Sequence, residues 1–183
     1  MKGHHLILGE LVDYLTGETL EDTLDERYRQ KIARFLAEEK GFEKTEIIPR
    51  NPLTAKADES KGMIRVDFKI EISGRTGMVI RFGPGSLVTR HRPALGISRI
   101  LEPYQIPVAV VTNGEDADVL DGSSGKVLGS GFEAIPSRLK LEEIMRNFRF
   151  DPIPEKRKEM ESRIVFCYEI DGACPCDTDI CRL

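Results

Sequence analysis

A single mixed α/β fold, with a central sheet flanked by helices, is predicted by three features of the sequence. Leu24, Tyr28, Ile32, Phe35 and Leu36 recur at helical spacing. Ile64–Ile72 then alternates apolar and polar residues with the period of a strand, and a turn leads into a second strand at Met78–Phe82. Finally, Val108–Thr112 is an unbroken, mostly β-branched run, the pattern of a strand buried on both faces. With 183 residues, 40% of them hydrophobic and 32% charged, the chain is long enough for one real core.

The elements follow in order. Thr23-Leu24-Asp25-Glu26 has the form of a capping box and opens the first helix, which Gly41 closes. Asn51–Lys61 reads as a polar loop interrupted by Pro52. In the next strand Ile64, Val66, Phe68, Ile70 and Ile72 are assigned to one face, and Arg65, Asp67, Lys69 and Glu71 to the other. After the break at Gly83-Pro84-Gly85-Ser86, a helix is placed from Pro93 to about Tyr104. Asn113-Gly114 marks a turn, and Val119–Asp121 pairs with Lys126–Leu128 as an edge hairpin. Two helices follow, over Ser137–Asn147 and from Pro154 through Arg163. Residues 1–150 are read as the α/β domain, and 151–183 as an appended helix with a cysteine-rich tail.

No apolar run is long enough to span a bilayer. The patch at Leu6–Leu8 lacks the length and cleavage site of a secretory signal, so a cytoplasmic address is expected. The net charge of −4 argues against a protein that is basic overall. Its distribution is uneven: Ser73–Leu101 holds Arg75, Arg81, Arg90, His91, Arg92 and Arg99 but no Asp or Glu. Two readings are open. The stretch forms a cationic surface for phosphates, or its arginines pair with carboxylates elsewhere.

The order helix, hairpin, helix, buried strand carries a resemblance in Val66-Asp67-Phe68-Lys69, Met78-Val79-Ile80-Arg81-Phe82-Gly83 and Val110-Val111-Thr112-Asn113-Gly114. It resembles the PD-(D/E)xK nuclease core, and more narrowly the N-terminal domain of type I restriction enzyme R subunits. Glu26 and Arg29 match a Glu and an Arg on the helix that precedes that core. The resemblance implies a restriction-endonuclease-like fold and Mg2+-dependent cleavage of DNA. In that chemistry two carboxylates on adjacent strands hold the metal, and a lysine two residues past the second positions the nucleophile. Asp67 fills the first place, but Arg81 and Gly83 stand where the Glu and the Lys belong. An arginine cannot ligate Mg2+. Two further readings follow. In an active enzyme with a relocated site, Asp67, Glu26, Lys69 and Glu71 are the catalytic candidates. In a degenerate domain that still contacts nucleic acid, Arg81, Arg90 and Arg92 are the phosphate-binding candidates. An internal Arg81–Asp67 ion pair fits the hairpin equally well.

All four cysteines, Cys167, Cys174, Cys176 and Cys181, lie in the last 17 residues. Four thiolates suit Zn2+ or an iron–sulfur cluster, though the spacings of six, one and four residues match no standard motif. A metal-containing regulatory or interaction module, with a protein partner or as a homodimer, is therefore a second function class. Loose thiols in a tail are the alternative.

Overall fold

The computed structural model describes residues 6–171 and 180–182. Helix α1 (Leu24–Arg34) starts where the capping residues place it: the Thr23 hydroxyl accepts from Glu26 N at 3.1 Å. A π-helical turn over Phe35–Glu39 extends it, and Gly41, at φ +75°, ends it. Leu24 was expected on the apolar face but is exposed, because it occupies the first turn, ahead of the packed Ile32, Ala33 and Leu36. A small hairpin, β1 (Glu10–Val12) with β2 (Thr19–Glu21), precedes α1 and had no clear sequence signal.

The main sheet runs β3 (Ile47–Ala57), β4 (Ser60–Ile72), β5 (Arg75–Phe82), β6 (Val108–Thr112), β7 (Ala117–Asp121) and β8 (Val127–Ser130), side by side in that order. The β5–β6 pair is parallel and the other neighbours are antiparallel, so the sheet is mixed. A short strand, β9 (Ile180–Arg182), pairs with Gly62–Ile64 of β4. The parallel crossover is made by α2 (Val88–Ile100), and α3 (Arg138–Asn147) and α4 (Glu155–Val165) follow the sheet. Alternation along β5 and β6 sends Met78, Ile80, Phe82, Val108 and Val110 into a core with α1 and α3. Val79 and Ala109 go into a core with Leu95 of α2. Helices therefore cover both faces, the arrangement a sheet containing parallel strands requires.

Three expectations are corrected. The polar stretch Asn51–Lys61 is not a loop; most of it belongs to strand β3, paired with β4 up to Ala57↔Ser60. The two prolines of β3, Pro49 and Pro52, are tolerated because β3 lies at the sheet edge, where one side of the backbone has no strand to bond. There α4 covers it: Ser162 Oγ accepts from Lys56 N at 2.7 Å and donates to Lys56 O at 3.1 Å. Helix α2 begins at Val88 rather than Pro93, so Pro93 lies inside it. Packing of Ala94, Leu95 and Ile97 beneath the sheet outweighs the hydrogen bond that proline cannot make. Lastly, the five apolar residues of β4 do not share one face. Ile64 and Val66 pack with Ile97 and Val165, whereas Phe68, Ile70 and Ile72 pack with α1. The change falls at Asp67. Opposite it Arg50 adopts φ +52° and the ladder skips one pair, between Pro49↔Phe68 and Asn51↔Val66.

The end of β6 docks α1. Gly114, at φ +87°, brings its backbone against the Tyr28 ring, and its carbonyl accepts from Lys31 Nζ at 2.9 Å. Asn113 Oδ1 holds the turn by accepting from Glu115 N and Asp116 N. A Cβ at Gly114 would lie 2.2 Å from Tyr28 Cδ1. Gly114→Ala is therefore expected to cost about 2 kcal/mol or more through strain and displacement of α1. Chemical denaturation of the two proteins measures it.

Candidate functional site

Asp67 lies at the point where β4 changes face, 3% exposed. Arg29 Nε of α1 donates to Asp67 Oδ1 at 2.8 Å, while Arg81 Nη1 of β5 donates to Oδ2 at 2.6 Å and Phe82 N to the same oxygen at 2.9 Å. Burial alone pushes this carboxyl upward. The charges of Arg81 and Arg29, together with these hydrogen bonds, outweigh it and hold Asp67 below the usual carboxylate value. Arg29 is further held by its guanidinium lying 5.5 Å over the Phe82 ring.

The ion pairs continue on either side. Arg81 Nη2 pairs with Glu169, on the π-helical turn that continues α4. Arg29 Nη1 lies 3.6 Å from Glu26, whose other oxygen accepts from Arg50 Nη2 at 2.8 Å. Arg50 also reaches Asp13 Oδ2 at 2.6 Å, in the loop after β1. The result is one chain of alternating sign: Asp13, Arg50, Glu26, Arg29, Asp67, Arg81, Glu169. Gln30 Nε2 adds hydrogen bonds to both Asp13 and Glu26. Burial pushes the Asp13 carboxyl up, but Arg50, Gln30 and the amides of Thr16 and Leu15 bring it down to about 2.

Of the proposed catalytic residues, the structure brings Glu26 to Asp67, with the Arg29 guanidinium between them. Lys69 and Glu71 belong elsewhere: Lys69 Nζ pairs with Glu71 at 3.2 Å and Glu102 at 3.4 Å, and Thr76 donates to Glu102. Of the two sequence readings of Arg81, the internal pair with Asp67 is the contact present. Gly83 faces Arg90, and a Cβ there would lie 2.3 Å from Arg90 Cζ. An arginine from α2 thus stands in the space that a side chain at position 83 would enter. Its Nη2 donates to Pro84 O at 3.0 Å.

The cations of Ser73–Leu101 do not form one surface. Arg75 stacks over Phe150, Arg81 and Arg90 lie near Asp67 and Gly83, His91 meets Asp118 at 2.8 Å, and Arg92 and Arg99 both bind Glu161. Cys167 is exposed. Cys174, Cys176 and the Cys181 side chain lie outside the described residues.

Sequence reasoning missed Asp13, Arg50 and Glu169. Each reaches the site over long sequence separation from an element without a motif, and the left-handed conformation of Arg50 has no local signature in Pro49-Arg50-Asn51.

The Mg2+ implied by the resemblance does not fit this donor set. Both Asp67 oxygens are taken by guanidiniums, the neighbouring strand offers Arg81 instead of a carboxylate, and Arg29 separates Glu26 from Asp67. Among the described residues no group of three His, Cys, Asp or Glu side chains is arranged to hold a metal ion.

Two stability measurements follow. Asp67→Ala leaves Arg29 and Arg81 without their shared partner and should cost about 3 kcal/mol or more by denaturant titration. For Asp13, the folded carboxyl at about 2 lies below its ordinary 3.8. Its contribution is therefore full above pH 3.8 and is lost as pH falls towards 2. The shift corresponds to about 2 kcal/mol, so the stability gap between wild type and Asp13→Asn should close across that window.

The comparisons with known proteins give the family. A family model described as the type I restriction enzyme R protein N terminus matches residues 24–136. No curated protein and no solved structure matches the chain. No helix among the described residues is long and apolar enough to cross a membrane. The matched segment begins at α1, includes the Asp67 hairpin and the Thr112-Asn113-Gly114 turn, and covers more than half of the sequence. The chain belongs to the family of type I restriction enzyme R protein N-terminal domains.

Proposed function

We propose that this chain is a non-cleaving form of the R-subunit N-terminal domain, in which the metal-dependent centre has become an ion-pair cluster and the fold serves to contact nucleic acid. The observation that carries the reading is the Asp67 carboxylate held between Arg29 and Arg81. A guanidinium fork supplies fixed positive charge where a nuclease needs an exchangeable cation with open coordination positions. It cannot acidify a bound water. Nucleic-acid contact is assigned to the edge of the same site, at Arg90 and the turn Gly83-Pro84-Gly85-Ser86. There a partly exposed guanidinium sits beside a glycine-rich backbone. Arg81, with Asp67 and Glu169 in its grasp, acts by shaping that edge.

Two assays test the proposal. Wild type and Asp67→Ala should both leave single- and double-stranded DNA intact in Mg2+ and in Mn2+. Cleavage by the wild type that disappears in Asp67→Ala would overturn the non-cleaving reading. Fluorescence anisotropy should give salt-sensitive DNA binding, and Arg90→Ala should weaken it about threefold to tenfold and lower the salt slope by about one. Binding that is absent, or unchanged in Arg90→Ala, would remove the nucleic-acid assignment.

A further inference from the structure

A second charged site lies outside the Asp67 cluster, between α2 and the first turns of α4. A groove of about 530 Å3 is lined there by Arg92, Arg99, Lys156, Arg157 and Glu161, with Pro154 and Met160 as its apolar wall. Glu161 is buried, accepts from Arg92 Nη1 at 2.5 Å and from Arg99 Nη1 at 2.8 Å, and lies 3.6 Å from Arg157 Nε. The lining thus holds one carboxylate against four cations, in a protein whose net charge is −4, while Glu155 in the first turn of α4 pairs with Lys158 at 3.0 Å. Lys156 makes no ion pair among the described residues.

Arg99 shows the shortage of acceptors directly. It is 6% exposed, its Nη2 donates to the carbonyls of Gly122 and Ser123, and its Nε has no hydrogen-bond partner among the described residues. An orphaned donor on a buried cation is costly. Burial and the neighbouring Arg157 and Arg92 pull the Arg99 guanidinium below the ordinary arginine value, even with Glu161 beside it. The groove also receives the start of α4. No side chain caps that end, and Arg157 N and Lys158 N are already bonded to Pro154 O. The amides of Glu155 and Lys156 precede the helix ladder and have no helix carbonyl to bond, so the positive end of the helix dipole adds to the same field.

We infer that this groove binds a phosphoryl group, carried either by a small phosphorylated ligand such as a nucleoside diphosphate or by the 5′ end of a nucleic-acid strand. Arg157 and Lys156 supply the accessible contacts, while Arg92 and Arg99 supply charge from behind, fixed in place by Glu161. A multiply charged oxyanion with tetrahedral geometry satisfies more of these donors at once than a halide or a single carboxylate does. The groove shares no residue with the Asp67 cluster, and Pro154–Glu161 falls outside the segment matched by the family model. The inference therefore stands or falls separately from the function proposed above.

The experiment uses the full chain, with thermal unfolding and calorimetric titration against pyrophosphate, ADP, adenosine, and DNA oligomers with and without a 5′ phosphate. Pyrophosphate or ADP at about ten times its dissociation constant should raise Tm by roughly 2–6 °C, while adenosine should leave it unchanged. Lys156→Ala/Arg157→Ala removes two exposed side chains and should weaken binding about tenfold or more. Lys158→Ala/Arg163→Ala removes the same charge from other positions on α4 and should bind as the wild type does. Binding of ADP assigns the site to a free phosphorylated ligand. Tighter binding of the 5′-phosphorylated oligomer than of its unphosphorylated twin, with the difference lost in Lys156→Ala/Arg157→Ala and no binding of ADP, assigns it to a strand end. The inference is overturned if neither pyrophosphate nor ADP binds and the two oligomers bind alike, or if the two double variants lose affinity equally, since a general charge effect would do the same.

Discussion

One buried carboxylate sets the terms for the rest of the molecule. Asp67 draws α1 and β5 to β4 through Arg29 and Arg81, and through Arg81 it reaches the turn that carries Glu169. None of these charges would be stable alone at that depth; each makes the next acceptable. Because the signs alternate from Asp13 to Glu169, the cluster joins the N-terminal hairpin, the first helix, the sheet centre and the last helical turn in one electrostatic unit. Its cohesion comes from pairing rather than from apolar area.

Two segments within the matched stretch play different parts in the structure. Thr112-Asn113-Gly114 is architectural: the Thr112 hydroxyl donates to Asp116 O and accepts from Gly114 N, and the glycine seats Tyr28. Arg81 belongs to the Asp67 cluster, paired with Asp67 and Glu169, and Gly83 lies beside Arg90. Arg90 places its guanidinium over Gly83, in space that a side chain there would fill.

The fold was legible wherever one local rule governed the outcome. The α1 cap, the buried β6 run and the β7–β8 hairpin each follow from periodicity or turn chemistry, and each is present. Legibility failed where tertiary contacts override local preference. The prolines of β3 suggest a loop until its edge position is known, and Pro93 suggests a helix start until the burial of α2 is known. At the site, Asp67 and Arg81 were readable because they sit on neighbouring strands joined by a short turn. Arg50 and Glu169 were not, since their positions depend on a single left-handed residue and on the path of a C-terminal helix. The alternation of β4 was misread for the same reason. A period of two assumes an unbroken pleat, and Arg50 breaks it opposite Asp67.

The treatment of the sheet's outer border has a consequence for assembly. A border strand with free amides and carbonyls invites another chain to continue the sheet. Here β3 carries Pro49 and Pro52, which offer no N–H, and Ser162 occupies both backbone groups of Lys56. At the far border, β8 is a four-residue strand, too short to template much pairing. Growth of the main sheet by strand addition is therefore disfavoured at β3 and at β8, and a companion molecule meeting those borders must be recognised through side chains.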